Sequence, residues 1–291
     1  MELRQVEYAV GIVDHGGFGR AAAALHVSQP SLSQGVARLE AELGVELFHR
    51  LGRRVVPTSA GEAFLAPARR LLREASTARE AVAAVAGLRA GTLDLVALPT
   101  LAADPLAPLV GAFRHRYPQV SVRIVEPEGA DAVAALVRDG RCELGLAELP
   151  VAAPDVVTEP LFDDELFVIL PPGASPPPDA VEVADLDSVP LVTTPPGTST
   201  RRLAERALRE AGVAPLVVVE TDQREAIVPL VLAGAGASFV TRAVADRAAG
   251  AGALARPLRP RLRRPIGLVR RRGGSSPAAE AFAALARAAR R

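Results

Sequence analysis

The chain contains no lysine. Its 34 basic residues are all arginine, set against 33 acids for a net charge of +1. With so little excess charge, any binding to nucleic acid must depend on where the arginines sit rather than on how many there are. There is a single cysteine, Cys142, in 291 residues. This excludes an intrachain disulfide, and with it a peroxide switch of that kind, and leaves a small buried thiol in a reducing compartment as the expectation. No apolar run reaches the roughly 18 residues needed to cross a bilayer. The opening MELRQVEYAV has acids mixed into it and does not read as a signal peptide, so a cytoplasmic protein without a membrane partner is expected. The four histidines (His15, His26, His49, His115) are scattered without metal-ligand spacing, and there is neither a G-x-S-x-G elbow nor a phosphate loop. Gly17-x-Gly19-x-x-Ala22 imitates a dinucleotide fingerprint but follows a helical pattern instead of a strand, and Gly234-x-Gly236 also follows a helix. No cofactor, no metal and no catalytic set are expected, hence no enzyme.

What is present begins with GGFGRAAAALHVSQPSLSQGVARLEAELGVELFHR, from residue 16 to residue 50. Residues 2–14 carry Leu3, Val6, Val10 and Val13 at helical spacing, and Gly16-Gly17 ends that helix. A short helical pattern runs from Arg20 to Leu25. A second starts at Ser28 with Leu32, Val36, Leu39 and Leu43 on one stripe. Ser28 suits the N-cap and Pro30 the first turn. The residues between the two patterns are too few for anything but a sharp turn, which is helix-turn-helix grammar. With the stripe turned inward, Gln29, Pro30, Ser31, Ser33, Gln34, Ala37 and Arg38 lie on the outer face or at the leading end. Gln can bond an adenine edge in two places, Ser any base edge, and a small apolar side chain can meet a thymine methyl. From these residues alone, a helical bundle with no DNA role remains the alternative.

Phe18, Ala21-Ala22, Leu25, Ser28-Gln29-Pro30, Ser33, Leu39-Glu40, Leu43-Gly44, Leu47-Phe48, Arg50, Thr58 and Ala60-Gly61 form a highly specific set. This set resembles the winged helix-turn-helix of the LysR-type transcriptional regulators. Three positions depart: Gly17 and Gly19 stand where the family usually has Ser and Thr, and Gly35 where it often has Gln. Gly19 can still cap a helix, less well than Thr, while Gly35 offers no side chain to a base or phosphate.

Beyond Gly44, Leu47-Phe48 and Val55-Val56 flank Leu51-Gly52-Arg53-Arg54, a hairpin with a basic tip. Arg50, Arg53 and Arg54 there are expected to meet phosphates or enter a minor groove; a solvated surface turn is the alternative. Thr58 or Ser59 then caps a long helix, with Ser59-x-x-Glu62 in capping-box form. Phe64, Ala68, Leu71, Ala75, Ala78, Val82 and Val85 make a heptad seam. The partner expected for it is the same helix of a second chain, giving a homodimer; packing within its own domain is the alternative. Residues 87–91 read as a hinge.

From residue 92 strands alternate with helices. Strands are expected at 92–98, 120–125, 143–148, 165–170, 189–193, 216–220, 237–241 and 266–269, and helices at 104–116, 130–139, 200–211, 223–234 and 277–289. Alternation of this kind implies α/β layers with largely parallel sheets. Residues 161–170 and 261–269 look like two crossings between subdomains, and 171–178 like a proline-rich loop. This half also resembles the LysR family, on Pro99-Thr100-Leu101, residues 113–118, 140–145 and 231–236, and Ser276-Pro277-Ala278-Ala279. The resemblance implies a two-subdomain effector domain like a periplasmic binding protein.

The expected organisation is a DNA-binding domain at 1–58, a linker helix and hinge at 59–90, and an α/β effector domain at 91–291. Subdomain I would take 91–162 and 267–291, and subdomain II 163–266. Ligands of open α/β sheets sit at strand C-terminal ends. Thr100 and Leu101, with Gly197, Thr198, Ser199 and Thr200, occupy two such ends before helix starts, where hydroxyls and free amides would hold a small anion. Plain helix capping is the alternative. A third family hydroxyl position falls at Gly129 or Ala130, so a less polar or larger effector is expected. Function is expected to be a ligand-responsive transcription factor binding double-stranded DNA. The resemblance adds tetramers and RNA polymerase as partners. A ligand-independent architectural DNA protein and a cytoplasmic solute-binding α/β protein stay open.

Overall fold

The structure is a computed structural model that describes residues 1–51, 54–85, 91–273 and 275–289. The chain divides into two compact units, one built on Met1–Gly91, the other on Thr92–Arg138, Glu143–Gly274 and Ala278–Arg291.

The first unit contains α1 (Leu3–Asp14), α2 (Phe18–Ala24), α3 (Gln29–Leu43), a hairpin of β1 (Phe48–Leu51) and β2 (Arg54–Pro57), and α4 (Ser59–Val85). Its core gathers Ala9 and Ile12 of α1, Ala21 and Ala22 of α2, Leu32, Val36 and Leu39 of α3, and Leu47-Phe48 at the hairpin. The α3 stripe is therefore three residues long. Leu43, one turn further, is 40 % exposed, because the helix ends at Gly44 in the left-handed conformation and the chain turns away. Gly17, with φ 139°, caps α2, so Gly19 lies inside the helix and not at its start. Gly35 faces inward: a Cβ there would lie 2.7 Å from the Tyr8 ring of α1. Glycine at this position lets two helices approach closely.

Thr58 and not Ser59 caps α4: the Gly61 amide donates to Thr58 Oγ1 at 3.0 Å, and the same hydroxyl donates to the Glu46 carbonyl. The heptad seam divides in two. Phe64, Leu65, Ala68 and Leu72 pack on Val6, Val10 and Val13 of α1, and Arg69 Nη2 donates to Asp14 Oδ1 at 2.6 Å. On the rest of the seam Leu71 is 40 % and Val82 72 % exposed, with Ala78 also exposed. The hinge expected at 87–91 lies outside the described residues except for Gly91.

The second unit opens with β3 (Gly91–Ala97) and two single helical turns, Pro99–Leu101 and Ala102–Leu106. These are followed by α5 (Ala107–Arg116), β4 (Val120–Val125), α6 (Ala130–Arg138), β5 (Leu144–Glu148) and the 15-residue β6 (Val156–Leu170). Next come β7 (Val181–Glu182), the turn Val183–Leu186, β8 (Pro190–Thr193), α7 (Ser199–Glu210), β9 (Leu216–Glu220), α8 (Arg224–Leu232) and β10 (Ser238–Thr241). The unit ends with α9 (Arg242–Gly250), the 18-residue β11 (Leu254–Arg271) and α10 (Pro277–Ala288).

The main sheet runs β10-β6-β11-β5-β3-β4, with β7 pairing β11 to the side. β3 pairs β5 in parallel and β8 pairs β9 in parallel, but β10, β6, β11 and β5 pair antiparallel in succession. The expectation of largely parallel sheets fails here because β6 and β11 are the two crossing segments. They extend well beyond 161–170 and 261–269 and run side by side in opposite directions. Their apolar runs are continuous because both faces are covered. Leu166 and Val168 pack with Leu191, Leu203 and Leu208, while Phe167 and Ile169 pack with Ile227, Val231 and Ala245. Nearer β3, Phe113 of α5 stacks edge-on against Phe282 of α10 at 5.6 Å. The helix expected at 104–116 breaks at Asp104, whose φ is −152°, and α9 had no counterpart in the sequence reading.

Gly35→Ala is expected to destabilise the first unit by about 1–3 kcal/mol, since the new methyl must displace a buried Tyr8 ring. Urea unfolding of wild type and variant measures it, and unchanged midpoints would contradict the close approach.

Candidate functional site

The first candidate is the outer face of α3. Ser28 Oγ accepts from the Ser31 amide at 3.2 Å, and the two hydroxyls lie 2.8 Å apart, so Ser31 is engaged in the cap. Gln29, Pro30, Gln34, Ala37 and Arg38 are exposed, and Ser33 is half-buried. The sequence-based face therefore survives, with Ser31 held at its leading end. In the hairpin, His49 pairs Val56 and Arg50 pairs Val55. This places Arg50 and Arg54 on the two arms by their backbone; Arg53 lies outside the described residues.

The second candidate lies where β6 and β11 pass the ends of β3 and β5. Arg264 of β11 is directly opposite Asp164 of β6 and has no exposed surface. Its Nε and Nη2 donate to Asp164 Oδ2 at 2.9 and 2.6 Å, its Nη2 also to Thr100 Oγ1 at 3.0 Å, and its Nη1 to Ser199 Oγ at 2.7 Å. Ser199 Oγ in turn donates to Glu148 Oε2, at the end of β5. Two of the residues expected to face each other, Thr100 and Ser199, thus share one guanidinium. Neither hydroxyl is recorded in a helix-capping bond.

The surrounding residues have other tasks. Thr198 is the N-cap residue of α7 by its backbone, yet its hydroxyl bonds Thr194 Oγ1 at 2.6 Å and the Pro195 carbonyl instead of a helix amide. Arg201 ties this loop down, donating to the Thr194 carbonyl at 2.8 Å and to Glu205 and Glu220. Gly197 is exposed with φ +88°, a left-handed position that favours glycine. Leu101 is buried, a packing residue. Thr200 Oγ1 is buried without a hydrogen-bond partner. Nearby, Arg224 at the start of α8 donates to both oxygens of Glu128, which precedes α6. This bond holds the Glu128 carboxyl below its ordinary range.

Arg264, Asp164 and Glu148 were not picked out from the sequence. Arg264 sits in the run Arg261-x-Arg263-Arg264, which reads as a solvated basic stretch; a period-two alternation with buried Leu262 was the available signal. These three residues add polar groups where Gly129 and Ala130 offer none. Burial pushes the Asp164 carboxyl above its ordinary range. The charge of Arg264 and its hydrogen bonds oppose that rise, while Asp104 and Glu148 add to it.

Residues 86–291 match the family model of the LysR substrate binding domain, and residues 3–62 that of the bacterial regulatory helix-turn-helix protein, lysR family. The chain belongs to the LysR family of transcriptional regulators. The regulator ShiR of Corynebacterium glutamicum (strain R) is 32 % identical over 264 residues, covering 88 % of this chain and 86 % of its own. The dual regulator OxyR of Escherichia coli (strain K12) is 30 % identical over 295 residues, covering 100 % and 95 %. A full-length OxyR variant from Pseudomonas aeruginosa matches with TM-score 0.78 at 29 % identity, over 98 % of this chain and 93 % of that one. This LysR-type regulator therefore pairs a DNA-binding helix-turn-helix with an effector-binding α/β unit. Among the described residues no helix is long and apolar enough to cross a membrane.

Arg264→Met leaves the Asp164 carboxylate uncompensated and is expected to cost about 3–5 kcal/mol; adding Asp164→Leu should recover most of the loss. A carboxyl held above its ordinary pKa binds its proton more tightly folded than unfolded. Its contribution to stability is full in acid and is lost as pH rises from the ordinary Asp value through the raised one. Without the opposing guanidinium that window widens, so the single variant should regain stability on acidification while the double variant should not. Denaturant unfolding at several pH values checks both, and a single variant as stable as wild type at neutral pH would refute the pairing.

Proposed function

We propose that this regulator reads DNA through the exposed face of α3. Gln29, Pro30, Ser33 and Gln34 meet base edges, Ser31 the leading end, and Arg38, Arg50, Arg53 and Arg54 the phosphates or the minor groove. The observation that carries this reading is the pairing of a Ser28-capped helix start with an outward face of amide and small side chains. Thr100 and Ser199 contact a small-molecule effector, with Leu101, Gly197, Thr198 and Thr200 shaping the loops around it. The effector region divides into 91–162 with 267–291, and 163–266, behind a DNA-binding domain at 1–58 and a linker at 59–90. A shift of register between Ile266 and Gly267 supports a bend at that boundary.

Two copies pair through the outer half of α4, where Leu71, Ala78 and Val82 are exposed on one seam. Dimers of dimers form on DNA, and RNA polymerase is the further partner. The protein works in the cytoplasm and is not an enzyme. Effector binding shifts an equilibrium between two assemblies by its unequal affinity for them, and the spacing of the DNA-reading units changes with it.

Gln34→Ala is expected to relax sequence preference at one position, whereas Arg53→Ala should weaken all sites about equally and reduce the salt slope by about one. Binding titrations on matched and scrambled duplexes at several salt concentrations separate the two, and identical losses for both would contradict this division of roles. Val82→Glu should weaken self-association without unfolding the chain. Sedimentation velocity reads it, and an unchanged oligomer would remove α4 as the interface.

A further inference from the structure

The effector reading leaves open which class of molecule the cleft accepts, and the arrangement around Ser199 narrows it. The Ser199 hydroxyl accepts from a fully buried guanidinium and donates to a carboxylate. It is a small neutral dipole lodged between a cation and an anion. Any molecule that displaces it must offer an acceptor to Arg264 and a donor to Glu148, because a buried polar group left without a partner is costly.

The charges give the same answer. Asp164 bonds Arg264 and Glu148 bonds Ser199, with the Asp104 charge acting on Asp164; against these carboxylates stand Arg264 and a half-exposed Arg202 whose Nη2 lies 3.6 Å from Glu148 Oε2. A bare anion would add to an excess of carboxylates. A bare cation would satisfy Glu148 but confront Arg264. A molecule bearing both charges enters without changing the net charge, and its acid end lies at the start of α7, where helix amides favour a carboxylate. The Thr200 hydroxyl at the same helix start is buried without a hydrogen-bond partner.

We propose that the effector is a small zwitterion of the α-amino acid type, its carboxylate taking the place of the Ser199 and Thr100 hydroxyls on Arg264 and its ammonium taking the place of Ser199 on Glu148. The proposal rests on the reading of Thr100 and Ser199 as effector contacts. It makes Arg264 and Glu148 the residues that set specificity.

The test uses the full chain. The common amino acids are screened by thermal shift. Each that binds is compared by calorimetry with its 2-hydroxy acid and its decarboxylated amine, and a panel of aromatic acids, dicarboxylates and sugar phosphates is run alongside. At least one amino acid is expected to raise the melting temperature and to bind about tenfold or more tighter than either matched analogue. Glu148→Gln, which keeps the shape and a hydrogen bond, should bring the amino acid and its hydroxy acid to similar affinities while melting as wild type does. Equal wild-type affinity for the amino acid and its hydroxy acid would overturn the proposal. So would discrimination that survives in Glu148→Gln, or binding only by members of the second panel. The last of these, if lost in Thr100→Val, leaves the effector cleft standing with a different ligand class. No stabilisation by any compound in either panel would overturn both the ligand class and the effector reading.

Discussion

The effector unit depends on how a guanidinium with no exposed surface is kept charged and bonded. Arg264 is placed by two strands of unusual length that run antiparallel through the middle of the sheet, and its counter-ion Asp164 is the residue directly across from it. Removing two charges from water costs several kcal/mol per ion unless their hydrogen bonds are made good. Here the cost is offset by Thr100 from one side and Ser199 from the other, with Glu148 behind Ser199. The arrangement recruits the loop after β3, the end of β5 and the first residue of α7. Elements far apart in the chain are thereby made to converge on one cation.

The DNA-reading unit solves the opposite problem. Its helices hide an apolar stripe and turn amide and small polar side chains outward. Gly35 allows the stripe to sit close against α1, because a methyl there would run into the Tyr8 ring. The absence of a side chain at Gly35, which looks like a lost DNA contact when only the outer face is considered, is a packing requirement of the inner face. With a net charge of +1 for the whole chain, the number of arginines sets nothing apart, and what distinguishes Arg38, Arg50, Arg53 and Arg54 is their place in the sequence on and beside the helix-turn-helix.

The parts that were legible in the sequence are those governed by local rules. Ser28, Pro30 and the glycines at 16, 17 and 44 punctuate helices by backbone chemistry alone, so α1 to α3 and the wing could be read directly. Most strands and helices after residue 92 were also visible in their apolar patterns. The misreadings arise where a distant partner decides. Leu43 has the right spacing for the core but lies at the end of the helix, 40 % exposed. Phe64 and Ala68 share a heptad with Val82 but face α1 instead of the open seam. β6 and β11 were seen only where their apolar runs are densest, and their antiparallel pairing, which makes the sheet mixed, depends on strands some hundred residues apart. Arg264 was overlooked for the same reason. An arginine in a basic run looks solvated until the strand register sets it against Asp164, and no local pattern carries that register.

That hidden polarity bears on how a binding event can become a conformational one. An apolar interface separates only by losing packing, and nothing a small ligand supplies compensates for more than its own surface. Hydrogen bonds to a buried cation are different, because each can be exchanged for an equivalent bond at little net cost provided the incoming group matches in charge and direction. Thr100 and Ser199 approach Arg264 from segments on either side of the crossing strands, and Arg224 with Glu128 makes a second polar link, between α8 and the loop before α6. Where a ligand acts by shifting an equilibrium between two arrangements, its unequal affinity for them sets the size of the shift. The same chemistry limits which ligands can do so. A molecule that breaks the bonds to Arg264 without replacing them leaves a buried charge unpaired, so only a group that matches those bonds can take their place.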